Sequence, residues 1–163
     1  MPSVPQLNFH TDQVAQLQST YAQEAMTLWL QGLHDNPKLK DRRFAAEPWQ
    51  HNPVSAFSAA MYLLNTRTLM GMTEALDTDD KTKARIRFAV EQWAAASAPS
   101  NFLAFNAEAQ QKAIDTKGES IAQGVQNMLH DMRQGHVSMT DESLFEVGKN
   151  VATTEGAVVF ENE

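Results

Sequence analysis

Apolar residues recur at three- and four-residue spacing early in the chain. Val14, Leu17, Tyr21, Ala25 and Leu28 form one stripe of an amphipathic helix. Met26, Trp29, Leu30 and Leu33 widen that stripe toward its C-terminal end. Thr11 or Asp12 can cap the helix. Asn36-Pro37 stops it, because the residue before a proline is driven out of the helical region. Met1 to His10 holds two prolines and little periodicity, so a flexible lead-in is expected there.

Lys38 to Pro53 reads as a connector, with the charge cluster Lys40-Asp41-Arg42-Arg43 and two aromatics, Phe44 and Trp49, anchoring it to a core. Asn52-Pro53 opens a second helix, since proline is tolerated in a first turn. Phe57, Met61, Leu64 and Thr68 share one of its faces, with Tyr62, Leu63, Leu69, Met70 and Met72 beside them. A helix apolar over so much of its circumference is predicted to be central. Asp79 or Asp80 caps a third helix to about Ala96, with Ile86, Val90, Trp93 and Ser97 on a common face, and Pro99 ends it. Asn106 caps a short helix over Ala107 to Ile114. Gly118 breaks the chain. Glu119 to Arg133 forms another helix with Ile121, Val125, Met128, Leu129 and Met132 on its apolar side. Gly135 closes it, as a glycine in the left-handed conformation does.

The pattern changes after that. Thr140-Asp141-Glu142 has the character of a cap with acidic residues in a first turn. Ala157-Val158-Val159-Phe160 is the only convincing strand. A lone strand leaves its own backbone groups unsatisfied and needs a partner strand, which this chain does not offer. The expectation is therefore an all-α, small multi-helix domain followed by the first strand of a larger fold.

Composition narrows the chemistry. The chain has 163 residues, a 42% hydrophobic fraction, three Trp and eight Phe, enough for one real core. Its formal net charge of -7 argues against general nucleic-acid binding, which needs clustered Lys and Arg. There is no cysteine, which excludes disulfides, thiolate metal sites and a Cys nucleophile within these residues. The N-terminus shows no secretory signal, and no stretch approaches the roughly 20 apolar residues of a membrane span. A cytoplasmic domain is the default. The five histidines include no i, i+4 pair and no His-Glu-x-x-His run. Asp77, Asp79 and Asp80 lack the glycine and terminal glutamate of a calcium loop, so they read as helix caps. Ser143 has no base placed by the sequence. No catalytic, cofactor-binding or metal-binding residue is assigned, and no cofactor is expected.

Four segments, in order, resemble the N-terminal region of class I polyhydroxyalkanoate synthases, the poly(3-hydroxybutyrate) polymerases. They are Asp41-Arg42-Arg43-Phe44-Ala45 with Trp49; Gln92-Trp93 with Ala98-Pro99-Ser100-Asn101-Phe102-Leu103-Ala104; Gly118-Glu119-Ser120 with Gly124, Asn127 and Asp131; and Thr140-Asp141-Glu142-Ser143, Phe145-Glu146-Val147-Gly148-Lys149-Asn150 and Ala152 through Val159. The resemblance runs from about Lys40 to the end. It departs locally, with Phe105 where the family usually has Thr, Ala107 where it has Pro, and Lys117 where a second glycine stands beside Gly118.

The resemblance implies an acyltransferase that polymerises (R)-3-hydroxyacyl groups from coenzyme A thioesters. Its catalytic part is an α/β-hydrolase-like domain with a Cys nucleophile, a His base and an Asp, following the segment that ends at Phe160. With no cysteine and no Gly-x-Ser-x-Gly elbow, those residues have no positions here to map onto, so inactivity in isolation is expected. The implied layout is a lead-in and first helix over 1–39, a helical synthase domain over 40–137, and the start of the catalytic domain over 138–163. The implied partners are the catalytic domain of the same synthase, a second copy in a homodimer, and the polyhydroxyalkanoate granule surface with its associated proteins. The implied location is the cytoplasm, at the granule. Neither nucleic acid nor a membrane span belongs to this picture.

The interaction candidates are Leu17, Tyr21, Leu28 and Trp29 on the first helix, whose outer positions hold Gln13, Gln16, Gln18 and Gln23, and Arg42, Arg43 and Phe44 in the connector. Each has a plainer reading. The helix stripe can pack on its own domain, and the arginines can form an ion pair with Asp41. Met61, Met70 and Met72 suit either an adaptable docking surface or a core. Two other functions share the amphipathic helices: a self-sufficient phasin-like granule-coat protein, and a helical protein-interaction adaptor with no link to polymer.

Overall fold

Asn52 and Pro53 start the helix on which the others are assembled. In the computed structural model, which describes residues 7–32, 34–137, 144–146, 148–151 and 156, this helix is Pro53–Glu74. The Asn52 side-chain oxygen accepts from the backbone N–H groups of Val54 and Ser55, at 3.1 Å each, satisfying two donors that the first turn leaves orphaned. Numbered in chain order, the elements are β1 (Asn8–Phe9), α1 (Thr11–Gly32), α2 (Glu47–His51), α3 (Pro53–Glu74), β2 (Leu76–Asp77), α4 (Asp80–Ala96), α5 (Ala107–Asp115) and α6 (Glu119–Gln134). Single 3-10 turns lie at Arg42–Phe44 and Pro99–Asn101. The described residues are thus overwhelmingly helical, as the periodicity predicts.

Two compact units result, Met1–Lys117 and Gly118–Glu163. In the first, α1, α2, α4 and the Pro99–Asn101 turn all pack on α3, and α2 also meets α5. The central place of α3 follows the prediction, and its most deeply buried residues are mainly its small ones. Ser55, Ala56, Ala59, Ala60, Leu64 and Thr73 are buried, while Phe57 and Met61 are only half-buried. Small side chains let neighbouring helices approach closely, and close approach encloses the small residues first. Gly71 shows how tight the α1 crossing is: a Cβ there would sit 2.7 Å from Leu17 Cδ2.

The lead-in differs from expectation. Asn8–Phe9 pairs antiparallel with Leu76–Asp77, Asn8 opposite Asp77 and Phe9 opposite Leu76. The His10 N–H extends the pairing by donating to the Ala75 carbonyl at 2.8 Å. Two residues per strand are too few to produce a period in the sequence, so only the tertiary partner reveals them. The connector likewise contains α2, a helix of five residues with Pro48 in its first turn. The strand expected at Ala157–Phe160 and the cap expected at Thr140–Glu142 lie outside the described residues.

Caps elsewhere follow the sequence. The Asp79 side chain accepts from the Thr82 N–H at the start of α4, and that of Asn106 from the Ala109 N–H at the start of α5. In the second unit, α6 lies between two left-handed glycines, Gly118 (φ 90°) and Gly135 (φ 78°). None of its residues is buried.

Candidate functional site

The α1 stripe is spent largely on its own unit. Val14, Leu17, Tyr21, Ala25 and Leu28 are half-buried at the predicted three- and four-residue spacing, and α1 packs on α3. Leu17 lies against Gly71. The Tyr21 hydroxyl donates to Asn65 Oδ1 at 3.0 Å, and Glu24 pairs with Arg67. The C-terminal end of α1 behaves differently. Met26, Trp29 and Leu30 remain 60%, 60% and 54% exposed, with Trp29 set edge-on to Phe57 at 5.9 Å. The candidates on this helix therefore separate: Leu17 and Tyr21 meet α3, Leu28 is half-buried, and Trp29 stays largely exposed.

The connector candidates separate as well. Phe44 is fully buried, so it is core and offers a partner no surface. It packs with Trp49 at 4.8 Å and with Tyr62 at 6.0 Å, both edge-on. The reason is local. Asp41 caps the turn by accepting the Arg43 N–H at 2.9 Å, and the turn swings Phe44 inward. Arg43 forms a two-pronged pair with the Asp41 carboxylate, at 3.0 and 2.9 Å. It donates to the Tyr62 hydroxyl at 3.0 Å, and that hydroxyl donates to the Ala94 carbonyl at 2.7 Å. The guanidinium also lies over the rings of Phe44 and Tyr62, 5.5 and 5.3 Å from their centroids. Arg43 thus ties the connector to α3 and, through Tyr62, to α4. Arg42 is exposed.

The Arg43 hydrogen bonds hold the Asp41 carboxyl below its ordinary range, and Asp41 in turn raises Arg43. A carboxyl whose folded pKa is depressed stabilises the fold fully above its unfolded value, and that contribution is lost as the pH falls through the folded pKa. Asp41→Asn is expected to cost about 0.5–1 kcal/mol near neutral pH, a range reduced for solvent screening of a partly exposed pair. The gap between the two proteins should close in acid, as the pH falls through the lowered folded pKa of Asp41. Urea midpoints measured at both pH values check this, and equal midpoints at neutral pH would mean that the pair contributes nothing.

One surface was not legible in the sequence. Trp93 shares a face of α4 with Ile86, Val90 and Ser97, yet it is 59% exposed while its neighbour Ala94 is buried. One residue is about 100° of helix rotation, and α3 selects the small alanine for its contact. Trp93 instead joins Phe57, Met61, Phe102 and Phe105 around an open groove of about 460 Å³. Phe105 is the position at which the motif departs from the family's Thr. Lys117, another departure, adopts φ 51°, a conformation that glycine takes at less cost.

The second unit presents Ile121, Val125, Met128, Leu129 and Met132 of α6, each 43–70% exposed. Among the described residues no group of three or more His, Cys, Asp or Glu gathers as a metal site, and no helix is long and apolar enough to cross a membrane.

Comparison with known proteins places these features. The family described as poly-beta-hydroxybutyrate polymerase (PhaC) N-terminus matches residues 40–163. The chain is 48% identical over 155 residues to the poly(3-hydroxyalkanoate) polymerase subunit PhaC of Cupriavidus necator, covering 93% of this chain and 26% of that protein. It is 33% identical over 129 residues to the Rhizobium etli subunit of the same name, covering 76% of this chain and 20% of that one. A poly(3-hydroxyalkanoate) polymerase of Methylorubrum extorquens is 30% identical over 167 residues, covering 93% of this chain and 28% of that relative. The chain therefore spans about a quarter of the length of these relatives. No solved structure gives a significant match.

Proposed function

This chain belongs to the poly-beta-hydroxybutyrate polymerase N-terminal family, and from that premise we propose that it is the non-catalytic N-terminal part of an acyltransferase that builds polyhydroxyalkanoate from (R)-3-hydroxyacyl-coenzyme A. It supports the catalytic part by docking to it, promoting its dimerisation and activation, and holding it at the granule surface in the cytoplasm. The observation that carries this reading is the family match from residue 40 to residue 163, in a chain that spans a quarter of its relatives and has no cysteine to act as nucleophile. The exposed apolar surfaces on α6 and at the end of α1 support an interacting role, because contiguous apolar surface marks contact sites.

The test is coenzyme A release from (R)-3-hydroxybutyryl-coenzyme A by the catalytic part of such a polymerase, with and without this chain, and by this chain alone. The chain alone should be inert, and its addition should raise the rate or shorten the lag. Release by the chain alone would overturn the non-catalytic reading. No effect either in trans or when the chain is covalently joined to the catalytic part would remove the supporting role.

A further inference from the structure

We propose that the groove between α3, α4 and the Pro99–Asn101 turn binds a segment of aliphatic polyester, an oligomer of 3-hydroxyacyl units; this rests on the polymerase reading above. Its volume of about 460 Å³ lies within the usual range for small-molecule sites, about 300–1,000 Å³. Its walls are the rings of Phe57, Trp93, Phe102 and Phe105 and the thioether of Met61. No charged side chain lines it, so nothing in it selects an ionised ligand such as a phosphate or a carboxylate.

The polar groups among those walls decide the ligand class. Ser58 and Thr66 stand on α3 two turns apart, and their hydroxyls are engaged by no hydrogen bond among the described residues. Asn65 lines the groove too. Its Oδ1 accepts from Tyr21, which leaves the amide NH₂ to donate. The groove therefore offers hydrogen-bond donors spaced along an apolar trough. An aliphatic polyester is the complementary chemistry: carbonyl acceptors at intervals, apolar carbon between them, no charge and no backbone donor. A hydrocarbon chain would leave the donors unmatched on desolvation. A peptide helix would come with its backbone carbonyls already bonded within itself.

The probe is a capped, water-soluble oligomer of (R)-3-hydroxybutyrate, titrated into this chain while amide and Trp indole NMR shifts are recorded. Shifts are expected around the groove, with the Trp93 indole moving and the buried Trp49 indole still. Phe102→Ser should weaken binding about tenfold, the loss that follows from removing one good aromatic contact. Phe102 is 48% exposed, so the variant should keep its helical circular dichroism, which is checked first. Ile114→Ser, on α5, 71% exposed and outside the groove, should leave the affinity unchanged. An alkyl glycoside of equal length, which lacks esters, should bind at least about tenfold more weakly. Equal binding of the glycoside, shifts centred away from the groove, or an unaffected Phe102→Ser would overturn the proposal. So would groove shifts that arise without oligomer and grow with protein concentration, since a second copy would then be the occupant. A chain that activates the catalytic part but ignores the oligomer sinks this proposal alone. Loss of both would also sink the polymerase reading.

Discussion

Trp49→Ala is expected to cost about 3–5 kcal/mol, the range for deleting a large aromatic from a filled core. Trp49 has no exposed surface and sits in the cluster of Phe44, Ala59 and Ala107. Its indole N–H donates to Glu108 Oε1 at 2.9 Å, so one side chain on α2 reaches α3 by packing and α5 by a hydrogen bond. Truncation leaves a void that the neighbouring alanines cannot fill and a carboxylate without its donor. The thermal midpoint should fall by on the order of 10 °C for a chain of this size. Trp49→Phe keeps most of the packing and loses the hydrogen bond, so it should cost far less. Unfolding followed by circular dichroism, rather than by Trp fluorescence, checks both. A loss under about 1 kcal/mol for the alanine variant would place it with surface substitutions and would mean that this cluster does not hold the unit together.

Gly71→Ile is the second large effect. A Cβ at Gly71 would meet Leu17 Cδ2 at 2.7 Å and Cδ1 at 3.3 Å, closer than side chains tolerate without movement. Replacing a helical glycine gains about 0.5 kcal/mol in propensity. Overpacking at the crossing costs about 1–3 kcal/mol, so the cost wins. The variant should loosen α1 from α3 while α3 itself stays helical. Amide exchange would show this as lost protection in α1. Leu17→Ala creates the missing room, so the double variant should lose less than the sum of the two single losses. Strict additivity would mean that the two residues do not touch. The Tyr21–Asn65 hydrogen bond lies on the same interface and should be weakened by Gly71→Ile alone.

The family, and with it the expectation of an accessory domain, was legible in four short segments. The structure supplies reasons for some of those residues. Asp41 caps the turn that buries Phe44, and Arg43 binds the Tyr62 that reaches α4. The candidate surfaces were less legible. The stripe of α1 was visible, but Leu17 and Tyr21 turn out to serve α3, while the end around Trp29 stays exposed. The groove of Phe57, Trp93 and Phe102 could not be read at all. It joins Phe57 on α3 to the end of α4 and the turn after it, more than thirty residues further along the chain, and periodicity describes one helix at a time.

The sequence by itself determined where the long helices begin and end and that the described chain is helical. Caps and breakers act through the backbone of their own turn: Asn52, Asp79 and Asn106 accept from N–H groups two or three residues on, and Gly135 takes a left-handed conformation that other residues resist. The tertiary structure decided what each helix does with its faces. On α3 it buried the alanines in preference to Phe57, on α4 it chose Ala94 over Trp93, and it recruited Asn8–Phe9 as a strand because Leu76–Asp77 offered an edge. Those choices depend on how closely two surfaces can approach, and steric fit between elements distant in sequence is a property of the pair, which neither partner's local pattern contains.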